Sequence, residues 1–204
     1  MHTLILASAS PRRKELLEQI GIEPVIRPGS GVENTDRQDP AEAVADLADA
    51  KCRNAAELFR QEKTLTPGLF LLGADTIVVK DGHILGKPKS ADDAEEMLSR
   101  LQGAWHQVYT GVSLMRIDKE GVVPSVFADG YRCFSVCTEV FVANMSPEEI
   151  REYVETGDPL DKAGAYGIQG MFARHISAIR GEYANVVGLP VAEVYSSMKE
   201  MHFF

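Results

Sequence analysis

An α/β fold, with a mixed, curved sheet flanked by helices, is what the pattern of this chain predicts. Three observations carry the prediction. Short apolar runs of strand length alternate with longer segments whose apolar residues recur at helical spacing. Cap-and-proline pairs open several helical segments: Ser10-Pro11, Asp39-Pro40 and Ser146-Pro147. Asp81-Gly82, between two apolar runs, marks a hairpin, so antiparallel pairs join the parallel ones that helical crossovers make. The 204 residues, 45% apolar and 25% charged, suffice to bury a proper core. One domain over residues 1–204 is expected, built as two lobes with a cleft. No repeat, low-complexity tract or flexible linker interrupts it.

Residues 3–7 read as the first strand. The helix after them starts at Pro11 and stops at Gly21, just past Ile20. Residues 23–27 read as a second strand. Asp39 caps a long helix, with Glu42 three residues on in capping-box spacing, that runs to about Arg60. Val44, Leu47, Ala48 and Cys52 share one face of it, and Lys51 lies beside that face. The apolar runs 69–72 and 77–79 flank Gly73-Ala74-Asp75-Thr76, and Ile84-Leu85 returns across the hairpin. Ser90 opens a helix that Gly103 closes, with Ala94, Met97, Leu98 and Leu101 on its apolar face. Residues 107–117 and 134–144 read as strands; in the second, Val136, Thr138, Val140 and Val142 alternate with Cys137, Glu139 and Phe141. Ser146 starts a helix that Gly157 ends. Residues 177–181 are short and ambiguous, 185–189 read as strand or turn, and 190–201 as the last helix. The stretches 60–67 and 119–133 read as surface insertions.

A net charge of −9 argues against general binding to nucleic acid or to an anionic membrane surface. No apolar run approaches the roughly 20 residues of a membrane span. The apolar start of the chain has no basic region and no small-residue cleavage site, so it reads as a strand rather than a leader. Cys52, Cys133 and Cys137 fit a reducing compartment, the cytoplasm. In a regular strand Cys133 and Cys137 stand too far apart to bridge, at about 3.3 Å per residue. No ligand set has zinc spacing, and the scattered histidines read as surface or packing residues.

Three segments carry chemistry. Ser8-Ala9-Ser10-Pro11-Arg12-Arg13 places two guanidinium groups at a helix start, where backbone N–H groups and the dipole attract anions. A capped surface helix with two solvated arginines fits the same residues. Asp75 interrupts a strand-like apolar run, where an unpaired carboxylate is expensive to bury. It is a structural acceptor, or it faces a cleft. Lys87, in Ile84-Leu85-Gly86-Lys87-Pro88, lies on the other arm of the hairpin and can face the same cleft; a solvated lysine at a strand end is the alternative. In the third segment, 159–170, Gly164, Gly167 and Gly170 allow close backbone approach to a ligand, beside Asp161 and Lys162. Gln169 offers both a donor and an acceptor, as reading a nucleobase edge requires. An ordinary glycine-rich loop has the same composition.

Together the stretches ASASPRRKELL, GADTIVV, ILGKP, VYTGV, DKAGAYGIQG and NVVGLP, in this order from Leu4 to Pro190, resemble the Maf family of nucleoside triphosphate pyrophosphatases. The resemblance implies a fold of the Maf and inosine-triphosphatase type with an active-site cleft. It implies cleavage of a nucleoside triphosphate between the α and β phosphates, to the monophosphate and pyrophosphate, with a divalent metal (magnesium or manganese). The GIQG form of the third motif is similar to the branch acting on dTTP and UTP, with modified pyrimidine nucleotides as further substrates and a house-cleaning role. A 7-methyl-GTP pyrophosphatase, or a non-catalytic nucleotide-binding regulator of cell division, are the alternatives. By position, the resemblance makes Asp75 the proton acceptor and Arg12, Thr76 and Gln169 the specificity residues. Ser8, Arg13, Glu33, Lys51, Lys87 and Lys162 line the phosphate and metal site, and a homodimer is suggested.

Elementary chemistry supports the set. A triphosphate needs cations around it, and Arg12, Arg13, Lys51, Lys87 and Lys162 supply them. Water needs a carboxylate or a metal to deprotonate it, and Asp75 and Glu33 are the candidates. Magnesium takes one or two carboxylates plus substrate phosphates. We expect Glu33 as mainly a ligand and Asp75 as the base, with Asp75 also near the metal. Met171-Phe172-Ala173 stands where the family commonly has Gly-Ala, and Phe172 is expected to shape the loop behind Gln169.

Overall fold

The computed structural model describes residues 2–31, 34–126 and 128–204. Strands and helices follow in the order β1 (Leu4–Leu6), α1 (Pro11–Gln19), β2 (Val25–Ile26), α2 (Pro40–Gln61), β3 (Phe70–Lys80), β4 (His83–Leu85), α3 (Ala91–Leu101), β5 (Trp105–Arg116), β6 (Tyr131–Val142), α4 (Pro147–Glu155), β7 (Ile176–Arg180), α5 (Tyr183–Val187) and α6 (Val191–Glu200). Short 3-10 turns at Asp158–Asp161, Ala163–Ala165 and Met171–His175 lie between α4 and β7. The described strands form a mixed seven-stranded sheet in the order β2-β1-β3-β5-β6-β7, with β4 paired to β3 off that path. β1 runs parallel to β2 and β3, whereas β4 and β7 lie antiparallel to β3 and β6. The α/β class and the mixed sheet are as the sequence predicts.

The chain gathers into two compact units. One holds Met1–Asp75, Thr110–Val136 and Gly188–Phe204; the other holds Thr76–Tyr109 and Cys137–Val187. β3, β5 and β6 each pass from one unit into the other along their length.

In the first unit all three residues of β1 are buried, as a strand covered on both faces must be. α2 turns Val44, Ala48, Cys52, Ala55 and Ala56 inward, where Cys52, Ala55 and Ala56 join a cluster with Ile5, Leu71, Met115 and Ile117. Small residues on this face let the helix come close. A Cβ on Gly73 would lie 2.3 Å from the Ala48 carbonyl oxygen, and one on Gly111 would lie 2.2 Å from that of Val44. Two glycines, on β3 and β5, thus set how α2 seats. Asp39 caps α2 by accepting from the N–H groups of Ala41 and Glu42 at 2.9 and 3.0 Å. The other half of the expected box is different: the Glu42 carboxylate pairs with Arg37 at 3.2 Å.

In the second unit α3 packs on α4. Ser90 caps α3 through the Asp93 N–H, and Ser146 and Glu149 close a full capping box on α4. The hairpin turn has both central residues at positive φ, Asp81 at 51° and Gly82 at 76°, which matches the twist of the strands it joins.

Two expectations need correction. Residues 185–189, read as strand or turn, lie largely in the short helix α5. There the buried Asn185 amide donates to the Val108 carbonyl and to Thr138 Oγ1, at 3.1 and 3.0 Å. These distant bonds override the strand preference of Val186 and Val187. The segment 119–133, read as an insertion, ends inside β6, because Tyr131 begins that strand and donates its hydroxyl to Asp49 at 3.0 Å. The ambiguous segment 177–181 belongs to β7.

Candidate active site

The first unit carries two polar pairs. β1 ends at Leu6, and the chain turns through the buried Ser8 into α1. Ser8 Oγ accepts from Arg13 Nη1 at 2.9 Å and from the Ser10 N–H at 3.3 Å. Ser10 stands at the N-cap of α1, yet its side chain makes no capping bond. Arg13 is 8% exposed, and its Nε donates to the Gly188 carbonyl at 2.8 Å. A buried guanidinium needs such partners, and here two neutral oxygens fix its plane. Arg12, one residue earlier, is half-buried at the same helix start.

The second pair joins α2 to β3. Lys51 Nζ lies 2.6 Å from Asp75 Oδ1, with the side chains 15% and 23% exposed. This follows from the seating of α2. Ala48 and Cys52 press on Gly73, so Lys51, beside that face, reaches along β3 to Asp75 two residues on. Sequence reading missed what holds the middle of this helix. Asp49 accepts from Ser113 Oγ at 2.9 Å, from the Tyr131 hydroxyl at 3.0 Å and from Arg53 Nε at 2.6 Å. Only the Arg53 bond, at i,i+4, had a local signal.

The second unit begins at Thr76, the half-buried residue that directly follows Asp75 in β3. β3 and β4 do form the expected hairpin, but Lys87 lies two residues beyond β4 and is exposed. The glycine-rich segment meets the Lys87 segment through its backbone, because the Gly164 N–H donates to the Gly86 carbonyl at 3.0 Å. Lys162 is held by its neighbours: Nζ donates to the Asp158 carbonyl at 2.7 Å, to Asp158 Oδ1 at 2.9 Å and to Asp161 Oδ1 at 2.7 Å. Asp158 Oδ2 accepts from the Tyr153 hydroxyl at 2.6 Å. Burial by itself would raise the Asp158 carboxyl, but the Tyr153 hydroxyl and the Lys162 ammonium outweigh it and hold the group below its usual range. Burial pushes the Tyr153 hydroxyl up.

Gln169 is exposed on the loop that follows. The Phe172 ring, fully buried, packs 4.9 Å from Tyr153, 4.8 Å from Tyr166 and 5.5 Å from His175. The Tyr166 hydroxyl lies 2.8 Å from Nε2 of the buried His106. Phe172, three residues after Gln169, is thus a packing centre for these rings. Glu33 lies outside the described residues. Among the described residues no three His, Cys, Asp or Glu side chains converge as a metal site. Asp75 is the described carboxylate of the expected pair, and a hard oxygen donor of this kind suits magnesium, which completes its shell from substrate phosphates. Among the described residues no helix is long and apolar enough to cross a membrane.

The family model for Maf-like protein matches residues 3–201. A dTTP/UTP pyrophosphatase of Agathobacter rectalis is 46% identical over 207 residues, covering 98% of each chain. A dTTP/UTP pyrophosphatase of Symbiobacterium thermophilum is 49% identical over 192 residues, covering 94% of this chain and 90% of its own. Among solved structures, a HAM1 protein from Coxiella burnetii aligns with a TM-score of 0.44 and 15% identity, over 71% of this chain and 75% of that one.

Proposed function

The chain belongs to the Maf family, and from that premise we propose that it hydrolyses dTTP and UTP to the monophosphate and pyrophosphate. The observation that carries this reading is the Lys51–Asp75 pair, placed directly before Thr76, in a chain matched nearly end to end by relatives named for the activity.

Breaking a phosphoanhydride is mostly positioning and charge stabilisation. Asp75 accepts the proton of the attacking water, and Lys51 orients its carboxylate through the 2.6 Å contact. Arg13, its plane fixed by Ser8 and Gly188, presents a guanidinium to phosphate oxygens. Arg12 and the start of α1 add positive potential of the same kind. Lys87, exposed, supplies a further cation to the phosphates. Thr76 and Gln169, with Arg12, discriminate the nucleotide. A divalent cation held by Asp75 and Glu33 would neutralise phosphate charge when bound.

The testing experiment is pyrophosphate release from a panel of triphosphates, with magnesium or manganese present. Turnover of dTTP and UTP well above that of the purine nucleotides is expected. A preference for 7-methyl-GTP would move the chain to the other branch of the activity. Nucleotide binding without turnover would leave the regulator reading.

A further inference from the structure

We propose that Lys162 is a positioning residue, held by Asp158 and Tyr153 to set the loop of residues 166–170 that carries Gln169, and that its ammonium does not bind phosphate. The proposal rests on the pyrimidine nucleotide reading above. An ammonium has three N–H donors. At Lys162 three acceptors take them: the Asp158 carbonyl, Asp158 Oδ1 and Asp161 Oδ1, at 2.7 to 2.9 Å. The side chain is 12% exposed, and two carboxylates already sit on its charge. A phosphate would have to break one of these bonds and approach two anions.

The same network grips the loop. The Tyr153 hydroxyl donates to Asp158 Oδ2 at 2.6 Å and accepts the Gly167 N–H at 3.2 Å. One buried oxygen therefore joins the acid that holds the lysine to the amide two residues before Gln169. The lysine stem closes the arrangement from the other side. A Cβ on Gly167 would lie 2.8 Å from Lys162 Cε and 3.0 Å from Cδ, so the stem lies directly against the loop backbone. The rings of Tyr153, Tyr166 and Phe172 pack underneath. The charge of Lys162 is used to hold the segment together, and the placement of Gln169 depends on it.

Inorganic tripolyphosphate separates the two roles, because it carries the phosphates without a base. The test compares Tyr153→Phe, Asp158→Asn and Lys162→Met with the wild type on dTTP and dCTP, using tripolyphosphate as competitor. The expected result is a roughly tenfold fall in the preference for dTTP over dCTP, borne mainly by KM, with kcat on dTTP changed by no more than about threefold. The tripolyphosphate inhibition constant should stay within about twofold of wild type. An inhibition constant that rises in step with KM in Lys162→Met, with base preference intact, makes Lys162 a phosphate ligand and overturns the proposal. Should Tyr153→Phe not fold, Asp158→Asn, altered at a partly solvated carboxylate, carries the comparison. If the wild type turns over no nucleotide, the pyrophosphatase reading falls and amide exchange decides the loop. Faster exchange at residues 167–169 in the variants keeps the positioning role, and unchanged exchange removes it.

Discussion

Arg13 and Lys162 are both cations drawn largely out of water, and the partners that hold them lie at very different distances along the chain. Arg13 donates to a carbonyl 175 residues away in sequence and to Ser8 Oγ, both neutral oxygens. Lys51, in the same unit, pairs with a carboxylate 24 residues away. Lys162 takes its partners from one and four residues away, and two of the three acceptors belong to carboxylates. At Lys162 two carboxylate partners offset the charge and leave a tie. The Lys162 network can form as soon as its own turn forms, whereas the Arg13–Gly188 and Lys51–Asp75 bonds require distant segments to be packed first.

Five measurements break or sharpen this contrast. The largest effect is expected at Asp75. Asp75→Asn keeps the shape and still accepts from Lys51, but it loses basicity. We expect kcat to fall about 10³-fold while dTTP binding, measured by calorimetry, changes by only a few-fold. Retained turnover would remove Asp75 as the base. Arg13→Lys comes next. A single ammonium cannot span Ser8 Oγ and the Gly188 carbonyl as the guanidinium does, so KM should rise on the order of tenfold or more. If steady-state kinetics show KM unchanged, the fixed plane of Arg13 has no part in phosphate binding.

Gly73→Ala probes the long-range half through packing. The new Cβ meets the Ala48 carbonyl at 2.3 Å, so α2 must shift, at about 1–3 kcal/mol. Thermal melts should fall several degrees, by roughly 2–4 °C per kcal/mol at this size, and activity should fall with the displaced Lys51. A melt equal to wild type would show that α2 seats without help from this close approach.

The fourth measurement is a pH series on the second unit. Burial, with the Lys80 charge adding to it, pushes the His106 imidazole down to about 4. The unfolded chain binds that proton near pH 6.5. Between these values the unfolded state holds more protons, so stability is full above about pH 6.5 and is lost as pH falls toward 4. The loss is on the order of 2–3 kcal/mol. In His106→Gln this part of the slope should flatten, and an equal slope in both proteins would locate the acid sensitivity elsewhere. The smallest change in rate is expected from Gln169→Glu. It should alter the order of preference among bases more than turnover of the best substrate. A substrate profile identical to wild type would take the reading role from Gln169.

Much of the frame was legible beforehand. The caps at Asp39, Ser90 and Ser146, the Asp81-Gly82 hairpin and the helix over α2 all act within three or four residues, and the structure keeps them. Lys51, placed beside the buried face of α2, does turn toward a partner, Asp75. Asp158 and Lys162 stand at i,i+4 and were open to pairing by the same local rule. What escaped was non-local. Nothing near Asp49 announces Ser113 or Tyr131, and nothing near Asn185 announces Val108 or Thr138.

By itself, then, the sequence determined the class of fold, the helix starts, the turn and the set of charged residues that carry the chemistry. Those depend on spacing along one backbone, where capping and periodicity operate. Only the tertiary structure decided which distant group each charge meets, because that depends on strand order and helix seating. Arg13 gains the Gly188 carbonyl, and Lys51 reaches Asp75, only once segments far apart in the chain have packed together.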